Sequence, residues 1–71
     1  MEMKPVESSN IKAIGWEDEV MEVAFVKGGV YRYTGVPEEI YKAMMAAPSK
    51  GKFFHARIRP RQHDYKYEKV A

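Results

Sequence analysis

The stretch Val20-Met21-Glu22-Val23-Ala24-Phe25-Val26, Lys27-Gly28-Gly29, Val30-Tyr31-Arg32-Tyr33-Thr34 constrains this chain more than any other. Two runs rich in β-branched and aromatic residues around paired glycines predict a β-hairpin. The turn decides which side chains share a face. A two-residue Gly28-Gly29 turn pairs Phe25 with Arg32 and puts both tyrosines behind Val26. A three-residue Lys27-Gly28-Gly29 turn, with Gly29 left-handed, pairs Val26 with Val30 and sets Phe25 opposite Tyr31. Met21, Val23, Phe25, Tyr31 and Tyr33 then form one apolar face. Because a buried face pins register, the three-residue turn is the expected one.

The remaining segments are read around this hairpin. Val6 and Ser8 share a face of a short strand, and Ser9-Asn10 bends the chain into a second. There Ile11 and Ala13 face one way, and Lys12, Ile14 and Trp16 the other. Glu17-Asp18-Glu19 reads as an exposed turn. Pro37 opens a helix, where its missing N–H costs nothing, and Glu38 and Glu39 complement the positive helix end. Ile40, Tyr41, Met44 and Met45 make an apolar stripe at i,i+4 spacing. Pro48 stops that helix, Ser49 caps a second, and Pro60 ends it. The second helix carries Phe53, Phe54 and Ile58.

Strands followed by helices argue an α+β fold: a small antiparallel sheet of about four strands, then two short packed helices. Residues 1–60 form the expected domain, and 61–71 a basic, flexible tail. With 71 residues and no cysteine, the core must suffice or a second subunit must help. No apolar run approaches the roughly 20 residues of a membrane span, and no signal peptide is visible. A cytoplasmic protein without a membrane partner is therefore expected.

These residues resemble the KTSC domain family, known from the C-terminus of some lysyl-tRNA synthetases and from small bacterial and phage proteins. Ser8-Ser9-Asn10-Ile11 with Ile14-Gly15-Trp16 matches its start, Trp16 standing where tyrosine is more usual. Val23, Phe25, Gly29 and Tyr31-Arg32-Tyr33 match its central hairpin. Val36-Pro37 and Tyr41 match its first helix. Ser49-Lys50-Gly51, Phe53-Phe54-His55 and Ile58-Arg59 match its second. The sequence departs after Pro60, where Asp64-Tyr65-Lys66-Tyr67 follows. The resemblance implies the α+β fold and suggests RNA binding.

Charge is distributed unevenly. Residues 1–49 carry Lys4, Lys12, Lys27, Arg32 and Lys42 against eight acids, a net of −3. Residues 50–71 carry Lys50, Lys52, Arg57, Arg59, Arg61, Lys66 and Lys69 against Asp64 and Glu68, a net of +5. Such asymmetry suggests a partner bearing phosphates or an acidic face. RNA recognition needs cations for phosphates and flat rings for unstacked bases. The candidate cations are Lys50, Lys52, His55, Arg57, Arg59, Arg61 and, from the hairpin, Arg32. Tyr31, Tyr33, Trp16, Tyr65 and Tyr67 are the rings, although Tyr31 and Tyr33 are also wanted by the core.

Other chemistries find less support. His55 and His63 fit no common zinc spacing, and no metal or other cofactor is expected. Ser8 or Ser9 with His55 and Asp18 or Asp64 makes a triad only on paper, so no enzyme activity is expected. Ser49-Lys50-Gly51-Lys52 could favour an anion at a helix start, or Gly51 could simply pack against the sheet. The adjacent Met44 and Met45 cannot both face one core, and one of them could mark a protein interface. The alternative to RNA binding is thus a protein-interaction or ligand-sequestering module.

Overall fold

The computed structural model describes residues 1–61 and 65–71. Its elements are β1 (Lys4–Pro5), β2 (Ile11–Glu17), β3 (Val20–Phe25), β4 (Val30–Thr34), α1 (Glu38–Ala46), α2 (Lys50–Phe53) and β5 (Lys66–Lys69). Between α2 and β5 the second helix continues as a π-helical turn, Phe54–Ile58, and a 3-10 turn, Arg59–Arg61. The strands form one antiparallel sheet in the order β1-β2-β3-β4-β5. The α+β class expected from the sequence is the class observed, with one more strand. Among the described residues no helix is long and apolar enough to cross a membrane.

That extra strand lies in the segment read as a flexible tail. Lys66–Lys69 pairs with β4, Tyr67 opposite Tyr33 and Glu68 opposite Arg32. All four residues are exposed. Edge strands carry charged side chains to discourage further pairing, which gives them the composition of a tail.

The hairpin has the expected kind of loop one residue early. The Phe25 amide donates to the Gly29 carbonyl at 3.0 Å and the Gly28 amide to the Phe25 carbonyl at 3.2 Å. Val26-Lys27-Gly28 is therefore the loop, and Val23 rather than Phe25 opposes Tyr31. The register moves by two residues, so the apolar face keeps its members. The other face explains the choice. In the observed register Glu22 opposes Arg32, and Arg32 Nε donates to Glu22 Oε2 at 2.9 Å. The expected register would put Arg32 against Ala24 and lose that pair.

Strand β2 departs from simple alternation. Ile11 opposes Phe25 and Ala13 opposes Ala24, so Lys12 is an extra residue that bulges. The bulge turns both Ile11 and Ile14 into the core, at 1% and 0% exposure, where strict alternation would have put them on opposite faces. Asp18 and Glu19 then join β2 to β3 with φ of 50° and 65°, the left-handed pair of a tight hairpin turn. The Glu19 carbonyl accepts from both the Gly35 and Val36 amides at 2.8 Å, which ties this turn to the start of the helical half.

The helices cover the face of Ile14, Met21, Val23 and Tyr33. Pro37 precedes α1, and its carbonyl accepts from the Ile40 and Tyr41 amides. Met44 is fully buried and Met45 packs partly against the same core, so the adjacent methionines leave no exposed one between them. Ser49 caps α2 as expected, its Oγ accepting from the Lys52 amide at 3.3 Å. In the π-helical turn the Arg59 amide reaches back to the Phe54 carbonyl. A regular α-helix here would press the Pro60 ring on the Ala56 carbonyl, and a widened turn relieves such a clash. Phe54 and Ile58, at 6% and 0% exposure, both remain in the core.

The two hairpin glycines provide a test. Gly28 has φ +125° with open space around its Cα, whereas Gly29 has φ +88° and a Cβ there would lie 3.1 Å from Lys69 Cε and 3.2 Å from Tyr31 Cε1. Gly28→Val suffers only the backbone strain of a β-branched residue at positive φ; Gly29→Val adds crowding against β5. Thermal melts should show the larger loss for Gly29→Val, and equal losses would contradict this turn.

Candidate nucleic-acid interface

The sequence-predicted cations separate into distinct places. Lys50 Nζ donates to the Ala47 carbonyl at 2.8 Å, so its charge completes the C-terminal end of α1. Lys52 is exposed, near Ser8, Ser9 and Asn10 across a shallow depression that His55 also borders. Gly51 is buried there, with an added Cβ only 3.3 Å from Asn10 Nδ2, so it packs against the bend before β2 rather than against the sheet. Arg57 lies over the Phe53 ring at 5.8 Å and faces a separate hollow with Ile40, Ala56 and Pro60. Arg32 belongs to the sheet face away from the helices, held by Glu22 at 2.9 Å and Glu68 at 3.8 Å. The side chain of Arg61 lies outside the described set, as do His63 and Asp64.

Two of the predicted cations, His55 and Arg59, and three of the predicted rings, Tyr31, Tyr33 and Tyr67, meet at a cleft between the sheet and the π-helical turn. The cleft has a volume of about 450 Å³ and is lined by Asn10, Phe25, Lys27, Tyr31, Tyr33, Phe54, His55, Arg59 and Tyr67. Register puts its tyrosines there. Tyr31 and Tyr33 sit two apart on one face of β4, and Tyr67 opposes Tyr33 from β5. Tyr67 stacks on Tyr33 with centroids 5.8 Å apart and planes 19° from parallel. Phe54 meets Phe25 and Tyr33 edge-on at 5.3 and 5.8 Å. The lining holds three basic side chains and no carboxylate.

The other predicted rings serve the fold. Trp16 donates from Nε1 to the Val36 carbonyl at 2.8 Å and stacks on Tyr41 at 5.9 Å, and Tyr65 is 9% exposed. Asn10, Lys27, Phe25 and Phe54 were not among the predicted site residues. They reach the cleft from three separate stretches of chain, so spacing along the sequence does not bring them together. Among the described residues no group of three or more histidines and carboxylates could hold a metal.

The KTSC domain family model matches residues 7–65. An uncharacterized protein of Stutzerimonas stutzeri is 33% identical over 67 residues, covering 92% of this chain and 94% of its own. A lysine–tRNA ligase of a Nostoc species is 35% identical over 71 residues, which is 97% of this chain but 12% of that enzyme. Among solved structures, the crystal structure of a KTSC domain protein from Yersinia pestis has a TM-score of 0.89 at 36% identity, covering 99% of this chain and 97% of that one.

Tyr33, at 3% exposure, is the cleft's buried titratable group. Burial pushes its phenol up from the usual 10.0 to about 12; Tyr31 and Tyr67 add to the rise and the Arg59 guanidinium opposes it. The folded state therefore holds the phenolic proton where the unfolded chain has already released it. The stability tied to this proton is complete below pH 10 and is lost as pH rises to about 12. Melting temperature measured across that window should fall less steeply for Tyr33→Phe than for the wild type. Parallel profiles would show that Tyr33 does not govern it.

Proposed function

The chain belongs to the KTSC domain family, and from that premise we propose that it binds single-stranded RNA and acts by binding rather than by catalysis. The observation that carries this reading is the second helix: from Pro48 to Arg61 the chain has no acidic residue, and Lys52, His55, Arg57 and Arg59 are all exposed along it. Exposed cations along one helix are what the phosphates of unpaired RNA require. The Nostoc lysine–tRNA ligase adds support, because the name of that enzyme places a similar segment on a protein that acts on a tRNA. In this proposal Lys52 and Arg57 contact phosphates, Lys50 extends the positive field, and Arg32 stays with its carboxylates. A second reading, sequestration of a small ligand, is favoured by the concave cleft beside the helix.

Salt dependence distinguishes phosphate contacts from other kinds. Each contact with single-stranded RNA that is lost should flatten the log–log salt slope by about 0.7. Lys52→Ala with Arg57→Ala should therefore weaken binding to an unstructured RNA and flatten its slope, while circular dichroism shows an intact fold. Arg32→Ala should leave the slope unchanged. No measurable affinity of the wild type at low salt would overturn the RNA reading.

A further inference from the structure

We propose that the cleft between β4, β5 and the π-helical turn binds one nucleotide unit, taking up both its base and the phosphate on its ribose. This deepens the binding reading above but assigns it a different surface, one whose ring and amide residues the helix-based proposal does not use. The volume of about 450 Å³ is in the range of small-molecule sites. It is also open on one side, so a ligand that continues into solvent can enter it.

The chemistry of the lining selects this ligand. Tyr67 is 48% exposed although it already stacks on Tyr33, so a base laid on its accessible ring surface prolongs an existing stack. Tyr31 stands on the same face of the sheet and meets Phe25 edge-on at 5.8 Å, which holds its ring in place. A flat heteroaromatic ring gains more from such walls than an aliphatic ligand does. At the rim, Arg59 and Lys27 supply charge for a phosphate, and Arg59 can engage it with two parallel hydrogen bonds. No carboxylate among the lining residues competes with the anion.

Asn10 supplies the remaining element. Its side chain lies against Gly51, and among the described residues its side-chain amide makes no hydrogen bond to the protein, while its backbone N–H donates to Ser8 Oγ. An asparagine amide offers a donor and an acceptor side by side, which matches the edge of a base. Gly51 thus acquires a purpose in the site: without a Cβ it lets the second helix approach Asn10 and keeps that amide at the rim.

A nucleotide unit can arrive free or as part of RNA, and the test separates the two. The wild type is titrated with AMP, GMP, CMP and UMP in turn, with inorganic phosphate, with adenosine, and with single-stranded A6 and U6 RNA. Backbone amide shifts are followed by NMR. Saturable shifts at Asn10, Lys27, Tyr31 and Tyr67 with a nucleotide, absent with inorganic phosphate, support the proposal. Tyr67→Ala should weaken nucleotide binding at least about five-fold and Tyr67→Phe should largely preserve it. Arg59→Gln should weaken the nucleotides and leave adenosine unaffected, a second variant on a different element. No saturable shift in the cleft at millimolar nucleotide or with the RNAs overturns the proposal. RNA shifts confined to Lys52 and Arg57 overturn the cleft while sparing the RNA reading. Nucleotide binding in the cleft without RNA binding upholds the cleft and overturns the RNA reading.

Discussion

Phe54 is the contact on which the rest of this domain depends. Its ring stands edge-on to Phe25 and to Tyr33, and those residues belong to β3 and β4. One side chain from the second helix therefore closes the central hairpin's apolar face. Ile58, fully buried, continues the same seam. In a chain of 71 residues the interior is too small for redundancy, and each ring contact supports several others.

The same contact sets the boundary between interior and cleft. Phe54 and Tyr33 are core residues on one side and the cleft's floor on the other. His55 follows Phe54 directly, so its place at the rim is fixed by the packing of its neighbour. Arg59 is brought there by the widened turn, since its amide is bound to the Phe54 carbonyl. The helical irregularity before Pro60 thereby aims a guanidinium at the tyrosines. Its origin lies in proline sterics, and its effect lies in the electrostatics of the site.

The sequence shows the hairpin's faces but not its register, because a two-residue shift leaves alternation unchanged. The Glu22–Arg32 pair on the outer face discriminates between the registers, and that pair becomes informative only once both faces are considered together. Ser49 after Pro48 announces a helix cap that the structure reproduces. The Lys12 bulge has no comparable signal: Ile11 and Ile14 differ by three, and only burial of both reveals the extra residue. Strand β5 was hidden by its own solvation. The candidate site is legible in part, through the cations His55 and Arg59 and the rings Tyr31, Tyr33 and Tyr67. Asn10, Phe25, Lys27 and Phe54 come from segments that the chain brings together only by folding, and Lys50 looks available in the sequence although its ammonium donates to the Ala47 carbonyl.

The position of β5 at the end of the meander has a dynamic consequence. Strands β2, β3 and β4 are joined by tight turns and close short loops, whereas β5 returns to β4 only after both helices have been laid down. Its pairing carries a larger loop-closure entropy and buries little, with all four residues exposed. Such an element opens independently, below the free energy of global unfolding. Its amides would then exchange with solvent hydrogen while those of β3 remain protected. Because Tyr67 travels with that strand, opening of β5 would carry away one wall of the cleft, while Tyr33 and Phe54, its floor, stay with the core.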